Sequence, residues 1–243
     1  MKTNANALII AVAVIVAAYL FSNAFQNRNQ SADTISVTGL GKKDFVSDLI
    51  VWSGSFSKKS MILKDAYAAL DSDREKIKSY LLSKGIQSNE VVFSAVNFNK
   101  DFDYIYNENG STKQQIFTGF NLTQTVTVQS KDVNKIEDIS RQSSELINSG
   151  VEFYSNAPEY YYTILAELKI KMIAEATKDA RVRAQSIAEN AGAGLGNLKK
   201  SDMGVFQITG QNSSEDFSYG GSFNTMSKNK TANITVKLVY QVD

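Results

Sequence analysis

Near the C terminus, Ala232, Ile234, Val236, Leu238, Tyr240 and Val242 take every second position, with Asn233, Thr235, Lys237 and Gln241 between them. Successive side chains of a strand point to opposite faces, so residues 231–242 read as a strand with one covered face. A slip of one residue would expose the whole row, which makes the register firm. Such a row needs a cover. Leu165, Leu168, Met172, Ala176, Ala180, Ala184, Ile187 and Ala191 form a stripe at helical spacing within residues 159–191, a helix of about 45 Å. Its alanines permit close approach to a sheet or to another helix. A helix of that length exceeds what a small sheet covers, which points to contact beyond its own domain. Pro158, the one proline, stands near its entry, and Gly192, Gly194 and Gly196 end it.

The rest of the chain is mixed in the same way. Residues 35–41 (ISVTGLG) alternate and then break at Gly39 and Gly41, a strand ending in a turn. Residues 45–56 read as a second strand, with Val46, Ile50, Trp52 and Phe56 on one parity. Leu63, Tyr67, Leu70, Ile77 and Leu81 give an amphipathic helix over residues 61–84, stopped by Gly85. Residues 90–97 read as a strand and 101–114 as a polar hairpin tip around Asn109-Gly110. In the strand at 116–128, Ile116, Phe120, Leu122, Val126 and Val128 share a parity. Ile136, Ile139, Leu146 and Ile147 mark a helix over 132–149, stopped by Gly150 and followed by a short strand at 151–154. Strand, helix, glycine, strand thus occurs twice, with negligible identity between the copies. A strand at 203–209 precedes a Ser/Gly/Asn-rich stretch, 210–229, expected to be mobile. The expected fold class is α+β, with antiparallel or mixed sheets, repeated strand-helix-strand units and one long helix in the C-terminal half.

To this the N terminus adds an expected transmembrane helix. Between Lys2 and Arg28 no residue is charged, and residues 7–21 (ALIIAVAVIVAAYLF) are an unbroken apolar run. As a helix, residues 5–25 span about 31 Å, close to a hydrocarbon core of about 30 Å. The favoured reading of residues 1–25 is an uncleaved anchor. The alternative is a signal peptide cleaved near Ala24, where Ser22-Asn23-Ala24 supplies small-x-small. Lys2 and Arg28 flank the segment, so charge specifies its orientation weakly. Residues 26–34 read as a polar linker and 35–243 as the folded body. The expected location is the inner membrane with the body in the periplasm, or the soluble periplasm after cleavage.

Composition narrows the chemistry. Cysteine and histidine are both absent. The chain therefore lacks thiolate nucleophiles, disulfides and the commonest neutral-pH base, and neither a Ser-His-Asp nor a Cys-His arrangement can be built. Lys and Arg number 26 against 25 Asp and Glu, so no basic excess draws nucleic acid. The pairs Lys42-Lys43, Lys58-Lys59 and Lys199-Lys200 are isolated and read as solvated loop charge. An enzyme would have to work through carboxylates alone. The expectation is no enzyme, no catalytic, cofactor-binding or metal residue, and no known small-molecule ligand.

Three segments resemble the SIMPL-domain family, a domain of unknown function. Residues 35–41 with Asp48 are similar to its opening I-x-V-x-G-x-G strand. Residues 119–150 look like its central strand and helix. Residues 174–196 (AEATKDARVRAQSIAENAGAGLG) carry its late A-x-x-DAR-x-x-A helix and glycine-rich stop. The likeness covers residues 33–243. A proline common in the family before Asp48 is replaced by Ser47. The resemblance implies an exported or envelope-associated protein, akin to periplasmic immunogenic proteins. It also implies homo-oligomers, ring-like or channel-like in at least one relative, and in some a link to lower oxidative stress. It implies no catalytic residue set. The expected function is a non-catalytic, self-associating envelope module. The alternative is a ligand-binding or indirectly protective module, since five methionines are the only sulfur available to an oxidant.

Five further features could carry a site, and each has a plainer reading. Asp179, Arg181 and Arg183 could hold an anion, but a solvated helix face with local ion pairs is favoured. Gly39 and Gly41 lack phosphate-loop spacing and read as turn glycines. Asp101-Phe102-Asp103-Tyr104 offers hard oxygen ligands for calcium without the spacing of a calcium loop. Tyr160-Tyr161-Tyr162 could stack on a sugar or a partner, although packing beside the long helix is favoured. Trp52 reads as core.

Overall fold

The computed structural model describes residues 2–29 and 33–243, with side chains from residue 9 to 25 in the first of these segments. In chain order it contains α1 (Lys2–Asn29), β1 (Thr34–Val46), β2 (Leu49–Ser60), α2 (Leu63–Ser83), β3 (Val91–Phe93), β4 (Asn97–Tyr106), β5 (Thr112–Ser130), α3 (Val133–Gln142), α4 (Glu145–Asn148), β6 (Phe153–Ser155), β7 (Glu159–Tyr161), α5 (Leu165–Asn190), β8 (Leu195–Met203), β9 (Gln207–Gly210), β10 (Ser222–Phe223) and β11 (Asn229–Val242). The α+β class holds, with one mixed and one antiparallel sheet.

In the first sheet β11 is central. β1 runs antiparallel along one side of it from Thr34↔Gln241 to Val46↔Asn229, while β8 and β9 share the other side end to end. β10 adds to β9 in parallel. The alternating row of β11 faces α5, whose Leu168, Met172, Ala176, Ala180 and Ala184 pack on Ala232, Ile234, Val236, Leu238 and Tyr240. Ala188 closes the stripe, and Ile187 points outward instead.

The glycines of ISVTGLG do not end the strand. β1 runs straight through them, and the turn falls at Ser47-Asp48. A Cβ at Gly39 would stand 2.1 Å from the Ala176 carbonyl oxygen, and one at Gly41 would stand 2.5 Å from that of Met172. Bare backbone therefore lets α5 lie directly on β1, so these glycines serve packing rather than a turn. Asp48 accepts two 2.7 Å hydrogen bonds, from the Thr163 backbone N–H and from its hydroxyl, and so fixes the chain where it enters α5. Buried Ser47 donates its backbone N–H to the Lys228 carbonyl at 2.9 Å, a bond that proline there could not make.

The second sheet runs β6-β2-β5-β3, with β7 also on β2 and β4 also on β5. β2 and β5 pair from Ile50↔Ser130 to Ser60↔Phe120. Ile50, Trp52, Phe56, Leu122, Val126 and Val128 face Ala66, Leu70, Ile77 and Leu81 of α2 and Ile136 and Ile139 of α3. The doubled strand-helix-glycine-strand pattern is present as two split β-α-β units. β3 of the first unit pairs with β5 of the second, and β6 of the second pairs with β2 of the first, an order of ferredoxin-like type. Both helices stop alike. Gly85 and Gly150 take positive φ, and the next residue donates back to the last turn, Ile86 to Leu81 and Val151 to Leu146.

Several boundaries differ from expectation. The helix over 132–149 is broken into α3 and α4. α5 starts at Leu165, because Tyr160 is held in β7 against β2, which shortens the helix to about 39 Å. Residues 195–203 form β8, so Lys199 and Lys200 lie on a strand, as do the other two lysine pairs. The stretch 210–229 contains β10 and is tied down. Buried Gln207 donates to the Ser218 carbonyl and accepts the Ser218 N–H, and buried Lys230 donates to the Asn224 and Ser227 carbonyls.

At the N terminus the helix runs past Phe25 to Asn29, so the expected linker begins as helix, and its residues 30–32 lie outside the described residues. Among the described residues no helix is long and apolar enough to cross a membrane.

Candidate functional site: an aromatic hairpin arm

β2 stops at Ser60, but β4 and β5 continue as a pair to Tyr106↔Thr112. Residues 112–119 of β5 therefore have no β2 beside them, and the hairpin projects about 26 Å beyond the sheet. The expected polar tip at 101–114 is mostly this paired arm, closed by a tight turn in which Gly110 has positive φ.

The arm is two-faced. Phe98 stands opposite Leu122, whose side chain points into the α2-covered core. Lys100, Phe102, Tyr104 and Tyr106 follow at alternate positions on that same face. Phe102 lies across from Phe117, with ring centroids 5.6 Å apart, and Phe117 contacts Phe120 at 5.1 Å. Tyr104 and Tyr106 stack at 6.4 Å. The opposite face carries Asn97, Asn99, Asp101 and Asp103 and, toward the tip, the exposed Ile105 and Ile116. There Lys59 pairs with Asp101 at 3.0 Å and donates to the Thr118 hydroxyl at 3.0 Å, bracing the bulge at the arm's base.

α2 covers the aromatic face over the sheet but not over the arm. Phe98 is 58% exposed, Tyr104 49% and Tyr106 61%. At the base, Leu63, Lys64, Tyr67, Val96, Phe98 and Leu122 line a hollow of about 520 Å³. Leu63 and Tyr67, which periodicity assigns to the core, lie exposed on its rim. Ile116 is likewise exposed, because the bulge at Thr118 shifts β5 out of the parity that buries Leu122 and Val126. Contiguous uncovered apolar surface of this kind marks an interaction site. The sequence signal for it is the period-two spacing of Phe98, Phe102, Tyr104 and Tyr106, which the intervening Asp and Asn residues obscure.

Most of the other weighed residues have internal partners. Asp179 accepts the Leu40 backbone N–H at 2.9 Å and the Arg183 Nε–H at 2.9 Å. The first of these bonds holds its carboxyl below the usual range. The DAR segment is thus a latch between α5 and β1, and Arg181 is simply exposed. Asp101 and Asp103 lie along one strand, and among the described residues no three acidic groups converge to hold a metal. Tyr160 is buried in the second core, Tyr161 bonds Glu159, and Tyr162 packs on Phe45 at 4.7 Å. Trp52 is core, donating to the Ser155 hydroxyl at 3.0 Å.

Two charged groups join parts of the body. Lys228 bonds Asn134 and, at 2.9 Å, Glu137, which ties the loop before β11 to α3. The same lysine draws the Glu137 carboxyl below its ordinary range. Burial pushes the Lys230 ammonium down to about 8.

Compared with known families, residues 35–240 match the model of SIMPL, described as a protein of unknown function (DUF541). No curated protein matches the chain.

Proposed function

The chain belongs to the SIMPL family, and from that footing we propose that it is a non-catalytic module of the cell envelope, held at a membrane by α1, that works by binding copies of itself. The observation that carries this reading is the arm, an aromatic face continuous with the core but left without a covering helix. A lone two-stranded hairpin is marginal in water, so a projecting one with an apolar face gains stability from a partner surface. The absence of cysteine and histidine fits a protein that acts by contact.

α1 supports the membrane part. It is 28 residues long, and its side chains from Ile9 to Phe25 are exposed although residues 7–21 are wholly apolar. A helix apolar on every side, with its backbone satisfied internally, is suited to lipid. The body then lies on the periplasmic side.

Sedimentation equilibrium of the full chain in a mild non-ionic detergent tests the reading. We expect a protein mass that is a multiple of the chain and falls on dilution. A single chain at every concentration would refute self-association.

A further inference from the structure

We infer that two copies associate by stacking their β4–β5 arms face to face and antiparallel, with Phe102 of each at the two-fold axis. The inference rests on the self-association reading above and names its surface.

Edge-to-edge pairing through the middle of β4 is disfavoured by charge. A two-fold antiparallel pairing of β4 with itself matches residues of equal parity. Registers centred on residues 100, 101 or 103 place Lys100, Asp101 or Asp103 against its own copy, and a centre at 102 opposes Asp101 to Asp103. Every register near the middle of the strand therefore sets like charges across from each other, which protects that edge.

Face-to-face stacking has no such conflict, because Asp101 and Asp103 point to the other side. With Phe102 on Phe102, Lys100 of one copy meets Tyr104 of the other, an ammonium over an aromatic ring. Tyr106 at the tip then reaches the base of the other arm, where the hollow of about 520 Å³ beside Phe98 and Tyr67 is open. Protrusion and hollow lie at opposite ends of one face, so a two-fold axis engages both at once. Two stacked hairpin layers about 10 Å apart give the aromatic rings the cover that α2 gives the rest of the sheet. A second copy supplies both the tip and the hollow that the face presents, which a bilayer does not. The occupant is a second copy.

Two substitutions on neighbouring residues separate the faces. Phe102→Lys sets two cations at the axis, whereas Asp103→Lys changes charge on the outer face. In the full chain in mild detergent, Phe102→Lys should weaken association at least tenfold, and Asp103→Lys should change it less than threefold. Both should keep the parent's circular dichroism, since Phe102 and Asp103 lie outside the two cores. A second readout uses the lack of native cysteine. Phe102→Cys should cross-link to itself through a short bis-maleimide, and Asp103→Cys should not.

If the parent associates, Phe102→Lys matches it and Phe102→Cys stays uncross-linked, the stacking is refuted while self-association stands. A monomeric parent refutes both. Loss of binding to anionic vesicles by Phe102→Lys with association intact would assign the face to lipid and also overturn the proposal.

Discussion

A methyl group at Gly39 would have to push the backbone of α5 off the sheet, because its nearest neighbours are the Ala176 carbonyl and the Ala180 amide. Gly39→Ala should therefore destabilise the fold by about 3 kcal/mol, the upper end for overpacking, read as a lower urea midpoint. Asp179 holds the same contact from the other side. Asp179→Ala should cost about 1 kcal/mol, a charge-assisted bond discounted for exposure. Its pH dependence has a definite sign. Folding lowers this carboxyl below its ordinary 3.8, so its contribution is whole above that value and is lost as pH falls through the lower folded value. The gap in stability between the parent and Asp179→Ala should close in acid, and a gap that persists there would argue against the latch.

At the scale of elements, regular patterns were legible and interruptions were misread. The row in β11 and the alanine stripe of α5 face each other as periodicity requires, since each has a single way to bury its apolar side. The GLG segment misled because a glycine needed for a turn and one needed for close packing look the same without the helix that approaches it. β8 was hidden by its polar sequence, LGNLKKSDM, which survives as a strand through pairing with β11. The stretch after β9 reads as loose because serine, glycine and asparagine dominate it, but the groups that hold it, Gln207 and Lys230, lie on the flanking strands. Lys230→Ala would leave the Asn224 and Ser227 carbonyls without their donor, so limited proteolysis should cut within residues 211–228 faster than in the parent. An unchanged cleavage pattern would show that Gln207 suffices.

For the whole molecule, the two cores lie within residues 37–240, and among the described residues neither includes one of α1. Sequence was informative about the class and the doubled unit, and it was silent on the arm, whose meaning depends on where β2 stops. That end point is set by the start of α2, a relation between elements distant from residues 101–114. Asp48 with Thr163 and Lys228 with Glu137 then join the β1–β2 turn to α5 and the loop before β11 to α3, so the arm is carried on a braced body. Deleting residues 2–29 should leave the thermal unfolding of the body unchanged and release the protein from membranes.

The most direct test of the account is amine-reactive cross-linking of the full chain in intact membranes of an expressing bacterium, resolved by denaturing electrophoresis. The account predicts bands at multiples of the chain, confined to the membrane fraction and lost in Phe102→Lys. A single band at the mass of one chain, recovered in the soluble cytosol, would contradict it.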